Sequence, residues 1–256
     1  MKRALALLLA ALSVFSLTAC TQQGAANTGK YQLAAAQYPQ MAQYPDESKF
    51  IKLDGDVDSE GFSEVFDAWQ TARRKQLDQS EGYPDALDGY LRALIPQLLT
   101  DGTGENKACS PINIYMALAM LAEITDGESR AQLLALLGSS NLDALRAEAA
   151  AVWNANYCDD GAVTSILASS LWLSDQINFK QETMDALAQY YYASSFRGEM
   201  GSAAFDRALQ GWINQQTGGL LKEQASGLTM DKETILALAT TIYFRAKWAG
   251  EFSEGN

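Results

Sequence analysis

Apolar residues recur at helical spacing through Phe62, Val65, Phe66 and Trp69, which predicts an amphipathic helix over that stretch. A second such run covers Asp85 to Leu99, with Leu87, Leu91, Leu94, Ile95 and Leu98 on one face. Pro96 inside it predicts a kink or an end. Ser110 and Pro111 suit an N-cap and a first helical position. The residues that follow, Ile112 to Leu121, are apolar almost all round, so their helix is expected to be buried. Asp126-Gly127 breaks it. Ser129 with Gln132 three residues on reads as a capping box for the next helix, and Gly138 as its end. Asn141 caps another that reaches about Asn154.

Farther on the pattern changes. Val163 to Ser174 is apolar or small without a helical stripe, and reads as a strand covered on both faces. Asn178-Phe179 opens a helix through Tyr191, Ser194 to Glu199 forms a short strand, and Ala203 to Gln216 is a helix closed by Gly218-Gly219. Thr234 to Phe244 is β-branched and apolar on both faces, and reads as a central strand. Helices and long strands mix without a regular βαβ alternation, which predicts an α+β fold.

The front end follows other rules. Lys2 and Arg3 precede an apolar run, Ala4 to Leu17, broken only by Ser13 and Ser16. It is shorter than the ~20 residues of a spanning helix and reads as a signal-peptide core. Leu17-Thr18-Ala19-Cys20 resembles a bacterial lipobox, which implies cleavage before Cys20 and a lipid on its thiol. Stable anchoring takes more than one acyl chain, as a diacylated cysteine supplies. The expected layout is a lipoprotein signal peptide over residues 1–20, a flexible tether over 21–60 and a folded domain over 61–256 that opens with a helical extension. The tether reading rests on Gln, Ala and Pro, and on the repeat Ala36-Gln37-Tyr38-Pro39 and Ala42-Gln43-Tyr44-Pro45. Export places the protein outside the cell, at the cell surface and membrane-anchored through Cys20.

Composition narrows the chemistry. The 256 residues carry a formal charge of −12, a surface that repels nucleic acid. No histidine occurs, which excludes Ser-His-Asp and Cys-His catalysis and a His-ligated zinc. No P-loop, Ser-x-x-Lys or Cys-x-x-Cys pattern is present. No cofactor or metal is expected. Asp54-Gly55-Asp56-Val57-Asp58 resembles the start of a calcium loop, but Ser59 and Val65 stand where that loop wants Gly and Glu. The stretch reads as a solvated acidic linker. Setting Cys20 aside leaves Cys109 and Cys158, expected to be unpaired. Paired carboxylates alone leave a carboxylate-based hydrolase as the only enzyme reading.

Three ordered segments carry a resemblance. The first is Ser110-Pro111 with the buried helix and Gly127 to Leu133. The second is Leu167-Ala168-Ser169-Ser170-Leu171-Trp172, then Phe179 and Tyr191. The third is Ile213 to Leu220, then Leu236-Ala237-Leu238 and Ile242 to Phe252. In this order they resemble the serpins, over roughly residues 85–256. The resemblance implies a large central sheet and an inhibitor, not an enzyme, that traps a serine or cysteine protease as an acyl-enzyme. It does so by inserting its cleaved reactive loop as a new strand. It implies that Thr234 to Phe244 is the strand beside which the loop inserts. Ser110, Asn113 and Thr240 fall in the shutter that must part, and Trp248 at the breach where insertion begins, a position that also suits a core aromatic. The family usually has Asn at the positions of Thr240 and Gln210. The reactive loop and its flanking strands are expected beyond Asn256, and the apolar strand edge left bare is expected to oppose folding as a monomer. A serpin-fold surface-binding lipoprotein without inhibitory activity is the other reading.

Overall fold

The structure is a computed structural model that describes residues 28–79, 82–83, 85–100, 104 and 108–248. Cys20 and the signal segment lie outside the described residues, as does Phe252.

One long strand organises the sheet. Strand β3, Val163–Ser174, pairs in parallel with β4, Ala193–Gly198, from Ser169–Ala193 to Ser174–Gly198. On its other side it pairs antiparallel with β5, Leu236–Ala246, along its whole length, from Val163–Ala246 to Leu173–Leu236. The two-residue β2, Cys158–Asp159, joins the start of β3. β1, Gln32–Ala34, adds antiparallel to β4 opposite Ser195 and Phe196.

Alternation along β3 and β5 builds two cores. Leu167, Leu171 and Leu173, with Leu236 and Leu238, face one side. Against them pack α3, Pro111–Ile124, α5, Leu142–Asn156, and α6, Gln181–Tyr190. Ala168 and Trp172, with Ala237 and Ala239, face the other side, under α7, Ala203–Gln216. There Trp172 stacks on Phe196 at 4.3 Å and meets Phe205 of α7 at 5.2 Å. Buried Glu123 ties the helical layer together. Its carboxylate accepts two bonds from Arg146, at 2.7 and 2.9 Å, and one from the Tyr191 hydroxyl at 3.1 Å. Burial, then the Glu123 charge, pushes the Tyr191 phenol well above its ordinary range.

The expected helices are present with shifted ends. α1 is Ser59–Leu77 and α2 is Asp85–Leu99. Pro96 does not end α2: it removes one donor near the C-terminus, and the helix runs on to Leu99. α4, Gly127–Leu137, is capped by Asp126, whose Oδ1 accepts from Gly127 N at 2.8 Å, not by Ser129. Gln132 bonds Glu128 instead of reaching back to a cap. Asp54-Gly55-Asp56 forms a tight turn closed by the Ile51–Val57 bridge, and Asp58 caps α1. Cys109, exposed, and Cys158, buried, are free thiols.

One expectation needs correction. From Thr28 onward the stretch read as a flexible tether is laid against the body. Besides β1, Ala36 N donates to Ser194 Oγ at 3.1 Å and Gln37 N to the Ala188 carbonyl at 3.2 Å. The two repeated tyrosines anchor it: Tyr38 sits 5.1 Å from Trp153 and 5.6 Å from Tyr157, and Tyr44 sits edge-on to Trp69 at 5.1 Å. Tyr44 N donates to the Asp160 carbonyl, and Arg73 of α1 bridges to the fully buried Asp160 carboxylate at 2.8 Å. Among the described residues β5 pairs with β3, and its Ile242 is 46% and Phe244 67% exposed.

Candidate functional site

The chain brings its candidate site together along the β3–β5 seam. Small and hydroxylated residues line its middle. Ser169 pairs with Thr240, Ser170 with Ala239, and Ala168 with Thr241. The Trp172 indole donates to Ser170 Oγ at 2.8 Å, and that hydroxyl donates to the Ala239 carbonyl at 3.3 Å, so one serine couples a core ring to the neighbouring strand. Thr241 is buried, and among the described residues its Oγ1 has no hydrogen-bond partner. A buried hydroxyl left unbonded costs about 1–3 kcal/mol. The seam is therefore close-packed yet not fully satisfied.

Ser110 and Asn113 meet at the start of α3. Ser110 is the N-cap: its Oγ accepts from Asn113 N at 3.3 Å and donates to Asn113 Oδ1 at 3.1 Å. Thr240 is half-buried and, by alternation, shares the face of Leu236 and Leu238 that turns toward α3. No hydrogen bond joins Thr240 to the Ser110–Asn113 pair among the described residues. Gln210 also points its donor elsewhere, with Nε2 bonding the Leu228 carbonyl at 2.8 Å.

α7 lies over the other face of the seam. Its C-terminal turn approaches β5 so closely that a Cβ on Gly218 would fall 2.7 Å from Cζ of Tyr243. Gly218 also has a φ of 60°, where a side chain is strained. The contact explains why the helix ends in glycine.

Trp248, expected at the breach and also suited to the core, is 78% exposed. It lines an open cleft of about 990 Å³ together with Tyr44, Phe66, Trp69 and Lys247. The Lys247 ammonium lies 5.4 Å from the Tyr44 ring. The N-terminal segment thus reaches the end of β5, a neighbour that the sequence pattern did not announce. The repeated Tyr-Pro was its one signal. The Glu123–Arg146–Tyr191 cluster was missed too, because its members lie on three separate elements.

The family model described as Serpin (serine protease inhibitor) matches residues 90–256. The chain belongs to that family. It is 26% identical over 181 residues to Serpin-Z2B of Oryza sativa subsp. japonica, covering 69% of this chain and 42% of the relative. It is 27% identical over 182 residues to human Serpin B9, covering 68% and 47%. Among solved structures, the thermophilic serpin tengpin in its latent state superposes with a TM-score of 0.59 at 20% identity, over 69% of this chain and 47% of tengpin. The native stressed Arabidopsis AtSerpin1 gives 0.57 at 22%, over 69% and 47%. The chain thus spans less than half the length of each of these relatives.

Proposed function

We propose that the protein inhibits serine or cysteine endopeptidases by the insertion mechanism, and that this chain supplies the sheet that receives the inserted strand. The observation that carries the reading is the long β3–β5 pairing, whose middle is lined by Ser169, Ser170, Thr240 and Ala239. Small side chains present low barriers to strands that slide past one another. A row of unpaired main-chain groups is a template for strand addition. In this mechanism the protease's nucleophile attacks a bait loop and forms an acyl-enzyme. The loop then enters the sheet beside β5, starting at the Trp248 end and parting the region of Ser110, Asn113 and Thr240.

The test is incubation of the full-length protein with trypsin-, chymotrypsin- and subtilisin-type proteases and with papain. The reading expects an adduct that survives boiling in SDS. Cleavage without an adduct in every case overturns it and favours the other reading, a serpin-fold surface-binding lipoprotein. That alternative draws on Gln210, which bonds the Leu228 carbonyl and not the seam.

The reading also places the protein outside the cell, held to the membrane by lipid on Cys20. The lipobox-like Leu17 to Cys20 supports this. Labelled palmitate should enter the parent protein but not Cys20→Ser, and the variant should leave the membrane. Equal retention of both would end the idea.

A further inference from the structure

The face of α7 turned toward the N-terminal segment borders a second open cleft, of about 520 Å³. Lys30 and Tyr31, in the turn just before β1, form one wall. Arg207 and Asn214 of α7 and Lys222 at the start of α8, Lys222–Ala225, form the rest. Among the described residues three cations line the cleft and no carboxylate does. That is unexpected in a chain with 31 acidic and 19 basic residues.

Elsewhere Arg73, Arg92, Arg130 and Arg146 each pair with a carboxylate, and Arg197 bonds the Asp175 and Ile177 carbonyls. Among the described residues Lys30, Arg207 and Lys222 form no ion pair. Lys30 instead holds its ammonium 4.5 Å from the centre of the Tyr31 ring. Like charges gathered without counter-charge repel one another, and an anion between them turns that repulsion into attraction.

Two further features fit an occupant. The floor is low, because Ala204, Ala208 and Gly211 fall on one face of α7 at helical spacing. The Asn214 carboxamide reaches the same lining, and its Oδ1 is shut from solvent with no partner among the described residues. Turned over, that amide presents two donors at the same place.

We propose that this cleft binds a phosphate- or sulfate-bearing ligand, held by Lys30, Arg207 and Lys222. The ligand would bridge the N-terminal segment to α7 and α8. Tyr31 packs on Phe205 at 4.9 Å, and Phe205 on Trp172 at 5.2 Å, so a bound anion fixes the N-terminal segment onto the core. This inference depends neither on protease inhibition nor on the lipid anchor.

The test uses the full chain carrying Cys20→Ser, in two arms. In the first, thermal unfolding and calorimetry are run with sodium phosphate and sodium sulfate, against sodium chloride at equal ionic strength. Saturable heat and a rise in Tm of ~5–10 °C at a hundred times Kd are expected. In the second, the protein is sedimented with vesicles of phosphatidylglycerol or of phosphatidylcholine. Retention only by phosphatidylglycerol, uncompeted by free phosphate, identifies a lipid headgroup as the source; saturation by free phosphate identifies a soluble ligand. Both support the cleft, provided the double variant Arg207→Gln/Lys222→Gln loses the effect. Sulfate and phosphate stabilise proteins generally by exclusion from their surfaces, so an equal Tm rise in the double variant overturns the proposal. So does the absence of saturable binding in both arms. The substituted side chains are exposed, and an unchanged circular dichroism spectrum confirms that the variant is folded.

Discussion

Gly198→Ala tests how the sheet, α7 and the N-terminal segment are locked together. Gly198 closes β4, beside Ser174 of β3, and its backbone is not in the left-handed region. Alanine therefore meets no conformational penalty there, and the effect is steric. An added Cβ falls 2.7, 2.8 and 3.0 Å from three atoms of the Phe205 ring. That ring is fully buried, with Tyr31 at 4.9 Å and Trp172 at 5.2 Å, so it cannot turn away without moving a neighbour. Overpacking of this kind costs about 1–3 kcal/mol. For a domain of this size each kcal/mol lowers Tm by ~2–4 °C, so a middle value lowers it by ~4–8 °C. Guanidinium titration at one protein concentration, followed by the fluorescence of the five tryptophans, reads the change. Phe205→Leu in the Gly198→Ala background should recover part of the loss, with a coupling of at least about 0.5 kcal/mol. An unchanged midpoint for Gly198→Ala, or strict additivity in the double variant, would refute the packing argument.

Other expectations follow from the buried polar groups and the N-terminal segment. Glu123→Ala removes the acceptor shared by Arg146 and Tyr191, leaves Arg146 its bond to Asp143, and should cost about 1–3 kcal/mol, the cost of a buried hydroxyl left unbonded. In urea titrations the double variant with Arg146→Ala should lose less than the sum of the single changes. Arg73→Ala removes the bridge to Asp160, and limited proteolysis should then cut within residues 28–79 faster than in the parent while the body remains intact. Burial pushes the Tyr90 and Tyr157 phenols up to about 12 from their ordinary 10.0. The folded state keeps protons there that the unfolded chain has lost. This contribution to stability is therefore whole below pH 10.0 and drains away as pH rises toward about 12. Tyr157→Phe should flatten that alkaline decline in pH-dependent thermal unfolding.

What the sequence revealed follows from how local each signal is. The bounds of α7 were readable because Ser202 caps it, Phe205, Leu209, Trp212 and Ile213 mark one face, and glycines end it. The β3 strand was readable because it is apolar or small on both faces, which burial under two helical layers requires. The cap of α4 was misplaced by three residues, because Asp126 and Ser129 are both good caps and only the chain direction chose between them. The docked N-terminal segment was hidden for a different reason. Its contacts are main-chain bonds to β4 and two tyrosine anchors, and neither produces periodicity along the chain. At the seam, the bond between Ser110 and Asn113 is a helix cap, and the reach to Thr240 depends on a sheet register that sequence does not encode.

Hydrogen–deuterium exchange of the chain with and without an added strand tests the acceptor edge most directly. The probe is a synthetic peptide of small and β-branched residues, rich in Thr, Ala and Val, at saturating concentration. The account predicts that amides across Leu236–Ala246 include a fast-exchanging set that faces away from β3, and that the peptide slows that set selectively. Protection that appears instead at β1 or β4, or no change along Leu236–Ala246 while the peptide is bound, would contradict it.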